Sequence, residues 1–335
     1  MFAAKLWHKS SGFHTSGLII GLIAVVITGW LVLNRQLVVD QLSTWQYQPS
    51  SAVASIATRA DMSDNGRFIF YASQPAIEDS QTFNQDCTRK EQSTAILGCY
   101  DGRRIYVYNV TNAQLDGIKE VTAAHEMLHA VYQRMSATEK TQVNALVEAE
   151  YIKLKDDTNF AERMAIYART EPGERDNELH SVIGTEVATI SPALEAHYKK
   201  YFTNRQAVIA LHAKYESVFT DLEAQNTALM AQLTALGDEI KNSSTSYNSG
   251  VAQLNQDIAS FNQRAADNGF ASRYAFDSAR ASLVSRAADL NTQRDTINSD
   301  VVQYNALRDK QSQIAVQSDS LNRSIDSSLS AAPSI

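Results

Sequence analysis

The sequence predicts an α+β protein that is mostly helical: a head with a small antiparallel sheet, an N-terminal transmembrane helix and a C-terminal antiparallel coiled-coil hairpin. Three observations carry this. Leu18 to Leu33 is an apolar run with Thr28 as its only polar interruption. From about residue 205 onward, apolar residues recur every three or four positions against a background of Ala, Gln, Asn and Ser. Between the two, strand-like segments with turn signals give way to amphipathic helices. Five prolines and thirteen glycines in 335 residues suit a helix-rich chain.

The N-terminal third begins with residues 1–16, which carry Lys5, His8 and Lys9. No Lys, Arg, Asp or Glu occurs from Ser10 to Asn34. A bilayer core needs about 20 helical residues, so residues 17–34 can cross one, with Trp30 near an interface. Cleavage as a signal peptide would need a small-x-small site close behind the run, and Ala52-Val53-Ala54 lies too far on. The expectation is therefore an uncleaved signal anchor of a single-pass cell-membrane protein. The two lysines before the run, against Arg35 and Asp40 after it, place residues 1–16 in the cytoplasm and the rest outside. Cys87 and Cys99 suit that placement, as an even pair able to close a short disulfide loop in an oxidising compartment. With a net charge of −7 and no Lys/Arg cluster, nucleic acid is not the expected partner.

The head is expected over residues 35–204. A short helix turns Val53, Ile56 and Ala57 inward, and Asp64-Asn65-Gly66 reads as a turn before a strand at Arg67–Tyr71. A short helix follows over Ala76–Phe83. Asp101-Gly102, between the apolar runs 95–100 and 104–110, is a strong hairpin signal. Asp116 is placed to cap the next helix, with Glu120 in its first turn. Ser136 and Glu139 form a capping box opening a helix to about Lys155. Helices are expected again over 159–168 and 177–187, and from Ser191-Pro192 on past Arg205. The hairpin occupies 205–330, with a turn at Asp267-Asn268-Gly269 and a phase slip across 242–246. Its arms, at about 1.5 Å per residue, are roughly 75 to 90 Å long.

The chemistry lies in Thr122-Ala123-Ala124-His125-Glu126-Met127-Leu128-His129. On a helix, His125 and His129 share a face and can present two imidazoles to one ion. Glu126 is placed to hold a metal-bound water rather than the metal. No other charged residue falls between Val121 and Gln133, as a helix buried beneath a cleft requires.

This His-Glu-x-x-His segment resembles that of the zincin metallopeptidases, whose extended motif wants uncharged residues at the same flanks. In zincin folds a sheet lies over this helix, and its edge strand binds substrate by main-chain pairing. Position 135 is Met, not His, which excludes the metzincin subclass. Asn177-Glu178-Leu179-His180-Ser181 resembles the Asn-Glu-x-x-Ser of thermolysin-like gluzincins, in which the Glu is the third zinc ligand. Position 182 is Val where that family has an Asp that orients the first histidine. The resemblance implies one zinc ion per chain, held by His125, His129 and Glu178. By position on the same helix face Glu186 is the alternative third ligand, and His180 and His197 are the remaining candidates. It implies Glu126 as general base toward a peptide or protein substrate. His180 enters as the catalytic donor to the oxyanion, with Tyr167, Arg169 and His197 as the other candidates. The rival expectation is an extracytoplasmic coiled-coil scaffold with an inactive head. In both, the coiled coil offers a surface for homodimerisation.

Overall fold

The computed structural model describes residues 13–88 and 95–328. The segment 1–12 and the last two residues of the expected hairpin, 329–330, lie outside the described residues. The chain divides into two compact units. The first comprises the residues up to Glu216 together with those from Arg323 onward, and the second is Ser217–Asn322.

The first unit starts with helix α1, Phe13–Leu33, joined at Asn34 to α2, Arg35–Gln46. No single helix among the described residues is long and apolar enough to cross a membrane. Ile19–Leu33 and Arg35–Gln46, bent by 79° at that joint, meet this test of length and composition as a pair. Two capped helices follow, α3 (Ser51–Arg59) and α4 (Asp64–Ala72). The stretch Arg67–Tyr71, expected as a strand, is part of α4. Its aromatic composition suits a sheet, but Ser63 caps the backbone N–H of Gly66, and Gly66, Ile69 and Phe70 point inward at helical spacing.

Gln74, with a φ of +41°, and Pro75 then stop the helix, and the chain extends as β1, Ala76–Glu78. The expected helix over Ala76–Phe83 is thus split, and only its second half belongs to α5, Ser80–Asp86. The Asp101-Gly102 hairpin forms between β2 (Gly98–Tyr100) and β3 (Ile105–Tyr108). β1 pairs in parallel with the other side of β3, so the sheet, ordered β1-β3-β2, is mixed rather than antiparallel. Cys87, behind α5, and Cys99, in β2, sit at disulfide distance with Cα atoms 5.9 Å apart.

The sheet packs on α6, Ile118–Arg134, nearly all of whose non-polar residues are buried. Its N-cap is Gly117, not Asp116. Gly117 has a φ of +107°, and a Cβ there would meet the Leu211 carbonyl oxygen at 2.9 Å. Asp116 instead bonds Arg59 and Lys214. The capping box at Ser136 opens α7, Ala137–Leu154. Helices α8 (Thr158–Thr170), α9 (Arg175–Glu186) and α10 (Pro192–Tyr198) complete the core. The helix from Pro192 does not run through Arg205. It ends at Tyr198, and the buried Arg205 turns back to donate to the carbonyls of Val187 and Ala188 and to Glu195. A cation thereby satisfies the C-terminal carbonyls of α9.

Helix α11 spans Gln206–Ala266 and runs unbroken through the phase slip at 242–246, ending at the expected turn. Helix α12 spans Arg273–Ile325. Within the second unit, residue 250 faces 290, 243 bonds to 293 and 237 faces 304, so the arms are antiparallel. Phe261, Phe270 and Phe276 cluster where the arms join. The segment after α12 returns to the first unit, where Ser327 exchanges two hydrogen bonds with Asn84.

Behind α9, His180 and His197 face each other with Nε2 atoms 2.9 Å apart, one donating and the other accepting. Burial, then neighbouring positive charge, holds His197 down to about 4, and His180 lies well below the ordinary value. The unfolded chain takes up these protons near pH 6.5, so the pair's contribution is intact above that value. It is lost as pH falls toward 4. In metal-chelated protein the urea midpoint should therefore drop between pH 6.5 and 4, and His197→Gln should make that drop shallower.

Candidate metal centre

Helix α6 carries His125 and His129 one turn apart, with both Nε2 atoms turned to the same point, 3.0 Å from each other. Helix α9 crosses beside it and delivers Glu178, 2 % exposed, with Oε1 3.5 Å from His129 Nε2 and Oε2 3.6 Å from His125 Nε2. Among the described residues, this is the one group of at least three His, Cys, Asp or Glu side chains whose ligand atoms converge closely enough to hold a metal ion. The three separations fit the group to an ion. Ligand atoms at about 2.0–2.1 Å from a tetrahedral centre lie roughly 3.3 Å apart.

The close approach of α9 to α6 has a local cause. A Cβ on Gly184 would lie 2.4 Å from Leu128 Cδ1 and 2.7 Å from Tyr198 Cε1, so a larger residue there would have to displace both side chains. Ser181, fully buried, places Oγ 3.3 Å from His129 Nδ1. Small residues at both points bring Glu178 to the histidines.

The tautomer of His129 is set from outside. Asn177 Nδ2 donates to Glu174, leaving Asn177 Oδ1 to accept from His129 Nδ1–H at 2.9 Å. The Nε2 lone pair is thereby aimed at the metal group. Val182, buried and without an acceptor, takes no part, and the orienting acceptor serves the second histidine rather than the first. His125 is backed by the Tyr167 ring, stacked at 6.2 Å between centroids. Burial, and to a smaller degree Arg163, lowers the His125 pKa to about 3, so the ring stays neutral, with one nitrogen bearing hydrogen and the lone pair of the other open to an ion. Burial likewise lowers His129.

Glu126 lies beside the group, buried under β2. A Cβ on Gly98 would come within 2.9 Å of Glu126 Oε1 and 2.6 Å of Thr122 Cγ2, so the strand's glycine is what makes room for this carboxylate. Burial, then the carboxylates of Glu178 and Glu171, pushes Glu126 well above the ordinary carboxylate range. A carboxyl tuned in that direction can accept a proton and hold it.

These residues floor a cleft of about 650 Å³, walled by β2 on one side and by α8 with Arg163 and Tyr167 on the other. Leu97 accepts from the Tyr108 N–H, and Asp101 donates to the Arg104 carbonyl. By the alternation of an antiparallel ladder, Gly98 and Tyr100 turn their N–H and C=O groups away from β3, toward the outer edge of the sheet.

None of the other candidates joins the three converging ligand atoms. Glu186 is on the face of Glu178 but two turns further, roughly 12 Å along the axis. It is ion-paired with Arg163 and lies 3.7 Å from His212 Nε2. His180, two residues past Glu178, projects from the opposite side of α9 into the core, fully buried against His197 and Tyr198, and does not line the cleft. Its expected catalytic place is not supported. His197 shares that core position, and Arg169 donates to the Ala165 carbonyl of its own helix. Of the four expected oxyanion donors, Tyr167 alone reaches the cleft, and burial raises its pKa so that the phenol keeps its proton. Gly98 and Asn177 escaped sequence reasoning as site residues. An isolated glycine in an expected strand was a signal for the first.

No family model, no curated protein and no solved structure matches this chain.

Glu178→Ala should abolish stoichiometric metal binding while Glu186→Ala leaves it intact, as read by elemental analysis of the two purified variants. Asn177→Ala should weaken the metal by about 10–100-fold in a chelator competition, the usual cost of losing an orienting partner.

Proposed function

We propose that this protein is a zinc metallopeptidase, anchored in a membrane by its N-terminal helix with the head on the extracytoplasmic side. The observation that carries the reading is the convergence of His125, His129 and Glu178 on one point beside Glu126, in a cleft bounded by an edge strand. The chemistry supplied by zinc bound there would be a water acidified toward neutrality and a Lewis-acid contact to the scissile carbonyl.

The chain's own residues supply the rest. An extended peptide pairs with the outward N–H and C=O groups of Gly98 and Tyr100, which brings its backbone across the metal group. Glu126 accepts a proton from the attacking water as the new C–O bond forms. Tyr167 donates its phenolic hydrogen to the oxygen on which negative charge develops. The C–N bond then breaks as Glu126 delivers its proton to the departing nitrogen, and the second proton of the water follows it there, so that a carboxylate and an ammonium leave and Glu126 is ionised again. The placement of residues 17–34 in a membrane rests on the apolar, outward-facing side chains of Ile19–Leu33 and on the lysines before them.

Glu126→Gln should keep stoichiometric zinc and lose about 10²–10⁴-fold in the rate of hydrolysis, the scale of a lost general base. A library of unstructured peptides, read by mass spectrometry for new amino termini, provides the assay. Metal-loaded wild type that cuts nothing in it, or Glu126→Gln at full rate, would sink the mechanism. Gly98→Ala should likewise retain zinc but slow hydrolysis, because the added methyl displaces Glu126.

A further inference from the structure

Helix α2 has two unlike faces. At 100° per residue, Leu37, Trp45, Leu42 and Val39 fall on one arc, and their exposures are 49, 73, 48 and 55 %. Asp40, on the opposite side, is 4 % exposed. A 12-residue helix with four large apolar side chains turned outward requires a cover.

We infer that α2 lies flat on a lipid bilayer, with Leu37, Val39, Leu42 and Trp45 sunk into the headgroup layer. Three features identify the bilayer as the cover. The exposed face continues directly from Ile19–Leu33, whose apolar side chains point outward on all sides, so whatever surrounds α1 meets α2 next. The 79° bend at Asn34 turns α2 nearly perpendicular to α1, and a helix perpendicular to a membrane-spanning one runs in the membrane plane. Trp45, the most exposed residue of the arc, is of the type that settles at the headgroup level.

The polar face fastens α2 to the head. Arg134, in the last turn of α6, donates from Nη2 and Nε to the two oxygens of Asp40 at 2.7 and 2.9 Å. Gln36 also donates to Asp40, and the Tyr47 hydroxyl donates to the Pro75 carbonyl. The same guanidinium donates from Nη1 to the Tyr100 hydroxyl at 3.1 Å, and Tyr100 belongs to the edge strand of the cleft. Bilayer, α2, Arg134 and β2 thus form one short path. The cleft edge is held at the lipid surface, which selects polypeptide presented there. This rests on the membrane anchoring of α1 proposed above.

The test uses the full chain in phosphatidylcholine vesicles carrying nitroxide labels at a shallow or a deep position. The variant Trp7→Phe/Trp30→Phe leaves Trp45 as the sole tryptophan, and Trp7→Phe/Trp45→Phe leaves Trp30. Bound metal reports that the head of each is folded. The expected result is quenching of Trp45 several-fold stronger by the shallow label than by the deep one, with Trp30 also quenched. Quenched Trp30 with Trp45 open to aqueous iodide overturns the proposal and leaves the anchor standing. If neither is quenched by lipid labels, the anchor falls as well. Stronger quenching of Trp45 by the deep label overturns it in favour of a bent span inside the bilayer. Protection of Trp45 from both lipid label and iodide overturns it in favour of a second copy of the chain.

Discussion

The crossing of α9 over α6 is the contact on which the candidate centre depends. Two histidines one turn apart need nothing beyond a helix, but the third ligand has to come from another segment at bonding range. Gly184 against Leu128, and Ser181 against His129, remove the side-chain bulk that would hold the helices apart. Arg205 fixes the far end of α9 by taking up its terminal carbonyls, and Glu195 balances the guanidinium. The position of Glu178 is therefore decided by residues that never touch a metal.

That geometry concentrates charge where water is scarce. Glu126 and Glu178 are both buried, side by side, with imidazoles that burial keeps neutral. Isolated carboxylates in such surroundings are costly unless paired or neutralised. A divalent cation among His125, His129 and Glu178 would offset this cost, and the raised proton affinity of Glu126 has the same electrostatic origin. The fold tolerates the arrangement because the remaining faces of α6 and α9 are packed with Val121, Leu128, Val131, Leu179 and Ile183.

What could be read from the sequence was what is local. His125, Glu126 and His129 lie within five residues, and their relation is fixed by helical pitch alone. Glu178 was legible through the pattern it makes with Asn177 and Ser181, but their work, one orienting His129 and the other allowing contact, shows only once α9 lies beside α6. Helical phase also separates the candidates that failed. His180 is half a turn away from Glu178, and Glu186 is two turns along, where Arg163 meets it. Composition misled at Arg67–Tyr71, where aromatic residues are spaced for a helix capped by Ser63. The parallel pairing of β1 with β3 joins segments about thirty residues apart, and nothing in Ala76–Glu78 announces it.

The second unit is spliced into the first at two points, after Glu216 and before Arg323, and the chain resumes its bonds to Asn84 once it returns. Its arms run antiparallel, so matched seven-residue blocks can be removed from or added to both at facing positions without altering either splice. Length in this part of the molecule is therefore a free variable, adjustable in steps of about 10 Å while every residue around the metal group stays in place.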